Sequence, residues 1–121
     1  MKFLLQILIS LIAIEHLGFL WLEMFAWETK GKKIFRNTLA ADMFNPTKGL
    51  AANQGLYNGF LSAGLIWTLF ISDNIWKINI SIFFLYCVMV AGVYGAFTIT
   101  KKIFFVQALP AIIALILILV L

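Results

Sequence analysis

Charge is what this sequence has least of. Only 12% of its 121 residues are Asp, Glu, Lys or Arg, about half the share of an ordinary soluble domain. Cysteine occurs once, at Cys87, so no disulfide can form within the chain. There is a single histidine, His16, and two prolines. One imidazole with scattered carboxylates, lacking the one-turn spacing that brings two ligands onto one ion, argues against a zinc or iron site, and no metal is expected. No glycine-rich phosphate loop and no nucleophile elbow is present, so nucleotide-binding and esterase-type classes drop out and no cofactor is expected. The stretch from Glu28 to Thr47 is too short for a second domain with its own core.

What fills the chain is apolar. Hydrophobic residues make up 64%, and mean hydropathy is +1.04. A hydrocarbon core of about 30 Å is crossed by roughly 20 helical residues. Four runs approach or exceed that length, and helices are predicted over 3–26, 47–71, 77–100 and 103–121. The fold class expected is therefore an all-α integral membrane protein: one domain, 1–121, built as a four-transmembrane-helix bundle. Lys2 and the run after it have the look of a signal peptide. The reading is rejected because Glu15 and His16 interrupt the run, no small-x-small cleavage site follows, and the apolar residues continue to Phe25. Trp21 and Trp27 near the end of this helix suit an interfacial aromatic belt.

The connection 28–47 is basic. Within it Lys33 to Met43 is expected as a short interfacial helix, with Ile34, Phe35, Leu39 and Met43 on the headgroup boundary. Asn45-Pro46-Thr47 reads as a turn and cap for the second helix, and Ser72 to Trp76 as a tight reversal. If the first and third connections share a side, that side carries seven of the nine cations (Lys30, Lys32, Lys33, Arg36, Lys48, Lys101, Lys102) against Lys2 and Lys77 opposite. The positive-inside rule then makes that side cytoplasmic and both termini extracytoplasmic. The net charge of +4 is thereby explained without a nucleic-acid-binding face. The expected location is a cell membrane crossed several times, with lipids as the surrounding partner and no nucleic acid.

Against this background the stretch Ala13 to Trp27, AIEHLGFLWLEMFAW, is anomalous. A charge at bilayer depth costs about 2.5 to 3.5 kcal/mol on insertion scales, so Glu15, His16 and Glu23 need partners or a cavity. His16 and Glu23 are seven apart, within about 20° around the axis and about 10 Å along it, while Glu15 flanks them by about 100°. All three are candidates for proton transfer. In the second helix, AANQGLYNGF brings Asn53 above Tyr57 and Gln54 above Asn58, each pair four apart on one side. Amides at this depth must face partners. Together with Tyr94 of the third helix and Gln107 of the fourth, these four are the candidate substrate-binding residues. Thr98 and Thr100 lie at comparable depth, Gly92 and Gly95 thin the wall of the third helix, and Pro110 frees a carbonyl. Polar groups thus gather in the cytoplasmic half.

Four segments taken together, AIEHLGFLWLEMFAW (13–27), LAANQGLYNGFLSAGLIW (50–67), AGVYGAFT (91–98) and VQALPAIIAL (106–115), resemble the small bacterial membrane proteins grouped as domain of unknown function 1304. Ala108, where a glycine is common, and the long middle loop depart from that pattern, and neither touches the polar positions. The resemblance implies a four-helix bacterial membrane protein and implies no activity. The mid-span acid of the first helix is also similar in plan to the small multidrug resistance transporters, whose sequence motifs are absent. Three functions follow as expectations. The first is a proton-coupled transporter of a small amphipathic or cationic compound, which four helices enclose only as a homodimer. The second is an intramembrane enzyme acting on a lipid-like substrate through His16 with Glu15 or Glu23. The third is a structural or accessory subunit whose polar side chains only hold helices together.

Overall fold

A computed structural model describes residues 2–121. All regular structure among them is helical. Helix α1 spans Lys2–Phe25, the three-residue α2 Lys32–Ile34, α3 Lys48–Phe70, α4 Asn74–Thr98 and α5 Leu109–Val120. Two π-helical turns, Trp27–Gly31 and Phe104–Ala108, and a 3₁₀ turn, Ala41–Met43, complete the order.

By length and composition, α1 and α4 are the helices able to cross a membrane. The other two predicted spans are weaker for visible reasons. Helix α3 has 23 residues but carries Lys48, Asn53, Gln54, Tyr57 and Asn58 within its first half. The last apolar stretch is five residues of π-helix running into the twelve of α5, at the short end of what crosses a hydrocarbon core.

Boundaries shift most where a cap or turn decides them. The third helix begins at Asn74 and not at residue 77, because the Asp73 carboxylate accepts from the backbone N–H of Ile75 and Trp76, both at 3.0 Å, satisfying two of the donors a helix start leaves open. The interfacial helix expected over 33–43 is reduced to α2, followed by turns and the 3₁₀ segment.

The chain falls into two compact units, residues 15–60 and the combination of 1–14 with 61–121. In the larger unit each helix offers one buried stripe at helical spacing: Leu5, Ile9 and Ile12 on α1, Ser62, Leu65 and Thr68 on α3, Leu85, Val88 and Gly92 on α4, and Ala111, Ala114 and Ile118 on α5. Small residues set the spacing of α4 against the π-turn. A Cβ on Gly92 would stand 2.5 Å from the backbone nitrogen of Ala108, so glycine is required for that approach. Ser62 Oγ donates to the carbonyl of Ala13 at 2.8 Å, a buried hydrogen bond joining α3 to α1.

In the smaller unit the basic connection is folded. Trp27 lies against Phe35 and Phe44, with ring centroids 5.6 and 5.1 Å away, and its Nε1 donates to Thr47 Oγ1 at 3.1 Å. Phe44 is fully buried. Asn45 Nδ2 donates to Glu28 Oε2 at 3.0 Å, and Gly31 N–H to the carbonyl of Ala26 at 2.8 Å.

Candidate functional site

Residues 15–60 contain seven of the nine candidate residues. Two pairs stand out. At the end of α1, Glu23 Oε1 accepts from Asn58 Nδ2 of α3 at 2.6 Å. The two helices approach closely because α3 offers Gly55 and Gly59 there: a Cβ on Gly55 would meet Met24 Cγ at 2.8 Å, Glu23 Cβ at 3.0 Å and the carbonyl of Leu20 at 3.1 Å, and one on Gly59 would meet Leu20 Cδ1 at 2.6 Å. The glycines four apart therefore make the distance, and Asn58 between them makes the bond.

Two turns earlier, Glu15 and His16 are side by side. Glu15 Oε1 stands 4.0 Å from His16 Nδ1, beyond hydrogen-bond distance. The imidazole is fully buried and meets Phe19 edge-on with centroids 5.1 Å apart. The Glu15 side chain is 28% exposed, yet its Oε1 is buried and accepts no hydrogen bond. The two acids of α1 thus differ in kind. Glu23 is engaged by an amide, whereas Glu15 has a buried oxygen without a donor next to an imidazole, the one side chain that ordinarily titrates near neutral pH.

The remaining candidates are spread out. Asn53, Gln54 and Tyr57 are exposed, although Gln54 lies one turn before Asn58 on the same side of α3. Tyr57 Oη is not among the groups bonded there, and its ring lies 5.9 Å from that of Phe60. Tyr94 on α4 is exposed and Gln107, within the π-turn, is half-buried. Two open concavities among the described residues are lined by other side chains and include none of Glu15, His16, Glu23 and Asn58. One, of about 540 Å³, is lined by the basic connection, and the other, of about 350 Å³, by aliphatic side chains of α1 and α5. Among the described residues no three His, Cys, Asp or Glu side chains converge as metal ligands would.

What the sequence reading passed over is the aromatic cluster of Trp27, Phe35 and Phe44. Its members are spaced across irregular backbone, where no period marks them.

The family described as "Protein of unknown function (DUF1304)" matches residues 10–119, a range holding both polar pairs and the aromatic cluster. The chain belongs to this family. It is also similar to the "Uncharacterized protein YpaA" of Lactococcus lactis subsp. lactis (strain IL1403), with 35% identity over 111 residues, 91% of this chain and 92% of that protein. No solved structure matches. Membership in DUF1304 carries a name without a chemistry, so any function must be argued from the side chains.

Proposed function

We propose that the protein is a multi-pass protein of the bacterial cytoplasmic membrane that exchanges protons for a small amphipathic or cationic compound, with Glu15 as the carboxyl that binds proton and cargo alternately. The observation carrying this reading is the state of Glu15. It lies near the middle of α1, one oxygen is buried without a donor, the side chain is partly accessible, and His16 adjoins it at 4.0 Å. A carboxyl that only joined helices would have its buried oxygen bonded, as Glu23 has Oε1 bonded to Asn58. An acid left open at such a depth suits a group that must change partners.

The four predicted spans, with the lysine-rich connections on the cytoplasmic side and both termini outside, supply the frame for this reading. A second copy is part of it, since four helices enclose little volume. The exposed Asn53, Gln54 and Tyr57 are the polar groups a second copy or cargo would cover, because amides do not remain unpaired in lipid. Tyr94 and Gln107 are kept as further cargo contacts. Intramembrane enzymology is less well supported, because His16 is fully buried and so has no surface with which to touch a substrate.

The test is proton release in proteoliposomes. A gradient of tetraphenylphosphonium, serving as a lipophilic cation probe, is imposed across vesicles holding a pH dye. The wild-type chain acidifies or alkalises the lumen in step with the cation, and Glu15→Gln abolishes the coupling. Flux in Glu15→Gln equal to wild type refutes the proposal.

A further inference from the structure

The connection between α1 and α3 holds four exposed cations, Lys30, Lys32, Lys33 and Arg36, around one open concavity of about 540 Å³ whose lining includes a single carboxylate, Glu28. A flexible loop would let such charges spread apart. This one is built to hold them together. Trp27 is seated against Phe35 and the fully buried Phe44, and is tied through Nε1 to Thr47. The backbone makes continuous turns under the cations, with Gly31 N–H on the Ala26 carbonyl at 2.8 Å and Phe35 N–H on the Gly31 carbonyl at 2.9 Å. The turn passes close to the indole at Gly31, where a Cβ would meet Trp27 Cε3 at 3.0 Å and the carbonyl of Ala26 at 3.3 Å. The opposing Glu28 carboxylate is held by Asn45 at 3.0 Å.

We infer that this open cluster of cations binds the phosphodiester headgroup of an anionic membrane phospholipid. The inference rests on the membrane placement argued above, which sets this connection at the cytoplasmic surface, and is independent of transport. Four cations against one carboxylate give the complementarity for a phosphate. Lipid is favoured over free phosphate because apolar side chains adjoin the cations along the chain: Ile34, directly after Lys33, is 63% exposed, and Met43 and Leu50 are exposed in the same unit. A lipid engages both sets, with the phosphate on the cations and the upper acyl chain on Ile34. Inorganic phosphate uses only the first.

Native mass spectrometry of the full chain, released from micelles doped with equal amounts of phosphatidylglycerol and phosphatidylethanolamine, reads the preference directly. Wild type is expected to retain the anionic lipid selectively. Each interfacial cation is worth about a fivefold attraction to an anionic surface, so the triple variant Lys30→Gln/Lys33→Gln/Arg36→Gln should lose selectivity by up to roughly a hundredfold. Lys101→Gln/Lys102→Gln, which neutralises cations of another connection, should keep it. Independently of any variant, wild-type selectivity should weaken as salt screens the charges. Equal retention of the two lipids by wild type, selectivity that salt does not move, or undiminished selectivity in the triple variant overturns the inference. Displacement of the lipid by excess inorganic phosphate with retention of phosphate itself overturns the lipid assignment. Alkaline carbonate extraction of native membranes separates the two levels: a chain that leaves the membrane fraction refutes the membrane placement and this inference with it, whereas one that remains but shows no selectivity refutes the inference alone.

Discussion

The bond between Glu23 and Asn58 can be weighed by a double-mutant cycle, and its size follows from its setting. The two side chains meet at 2.6 Å, and Asn58 is 8% exposed, so little water is at hand to replace either partner. Asn58→Leu preserves much of the volume and leaves a half-buried carboxyl without its donor, which should cost about 1 to 3 kcal/mol. Glu23→Leu leaves the amide unpaired, with a cost in the same range. The double variant removes both polar groups and should be less destabilised than the sum, since an apolar pair of similar shape can be nearly neutral. The difference is the coupling energy. Interhelix hydrogen bonds in membrane proteins average about 0.6 kcal/mol and reach about 1.7, and this short, shielded bond belongs in the upper part of that interval. The assay is reversible unfolding in mixed micelles at increasing dodecyl sulfate, followed by circular dichroism. Costs that add to within about 0.3 kcal/mol would show that the two residues do not interact, and the account of the α1–α3 approach in the smaller unit would fall with them.

Two further outcomes are expected of the same unfolding assay. Gly55→Ala should destabilise by about 1 to 3 kcal/mol because its Cβ meets Glu23 Cβ at 3.0 Å and the backbone carbonyl of Leu20 at 3.1 Å, whereas Gly18→Ala, with nothing within 4 Å of the added carbon, should be neutral or stabilise by up to about 1 kcal/mol through the better helix former. Asp73→Ala should cost about 0.5 to 2 kcal/mol by removing the acceptor of two N–H groups at the start of α4, and Asp73→Asn, which retains a capping oxygen, should recover most of it.

Residue chemistry made some of this legible in advance and geometry withheld the rest. Glu23 and Asn58 could be expected to lie on facing helices, because an acid and an amide at similar depth both need partners and Gly55 and Gly59 mark a close approach. Their neighbours could not be sorted the same way. Asn53, Gln54, Tyr57 and Asn58 share an arc of about 140° on α3, so spacing alone does not say which edge of that arc turns inward, and only Asn58 is buried. The same holds for Tyr94, exposed on α4 between the buried Gly92 and Gly95. The cap at Asp73 was there to be read, but SDNIW also suits a turn, and the two readings diverge only when the backbone is placed. Least legible were the π-turns. An i to i+5 bond such as Leu109 N–H on the Phe104 carbonyl depends on packing from elsewhere in the chain and leaves no periodic trace.

The folded state of the basic connection has a consequence for anyone mapping how this chain threads the membrane. Lys30, Lys32, Lys33 and Arg36 are four consecutive invitations to trypsin, all exposed, and a loop so marked is the usual choice for a protease-accessibility experiment. Proteases, however, cut backbone that can extend into their clefts, and here the peptide bonds are wound into turns fastened by Gly31, Phe35 and Leu39 N–H groups and pinned beneath by Trp27. Resistance to cleavage at these lysines would therefore report a tightly wound backbone and not the side of the bilayer on which it lies, so sidedness is better read with a membrane-impermeant amine reagent, which needs only the exposed ammonium groups.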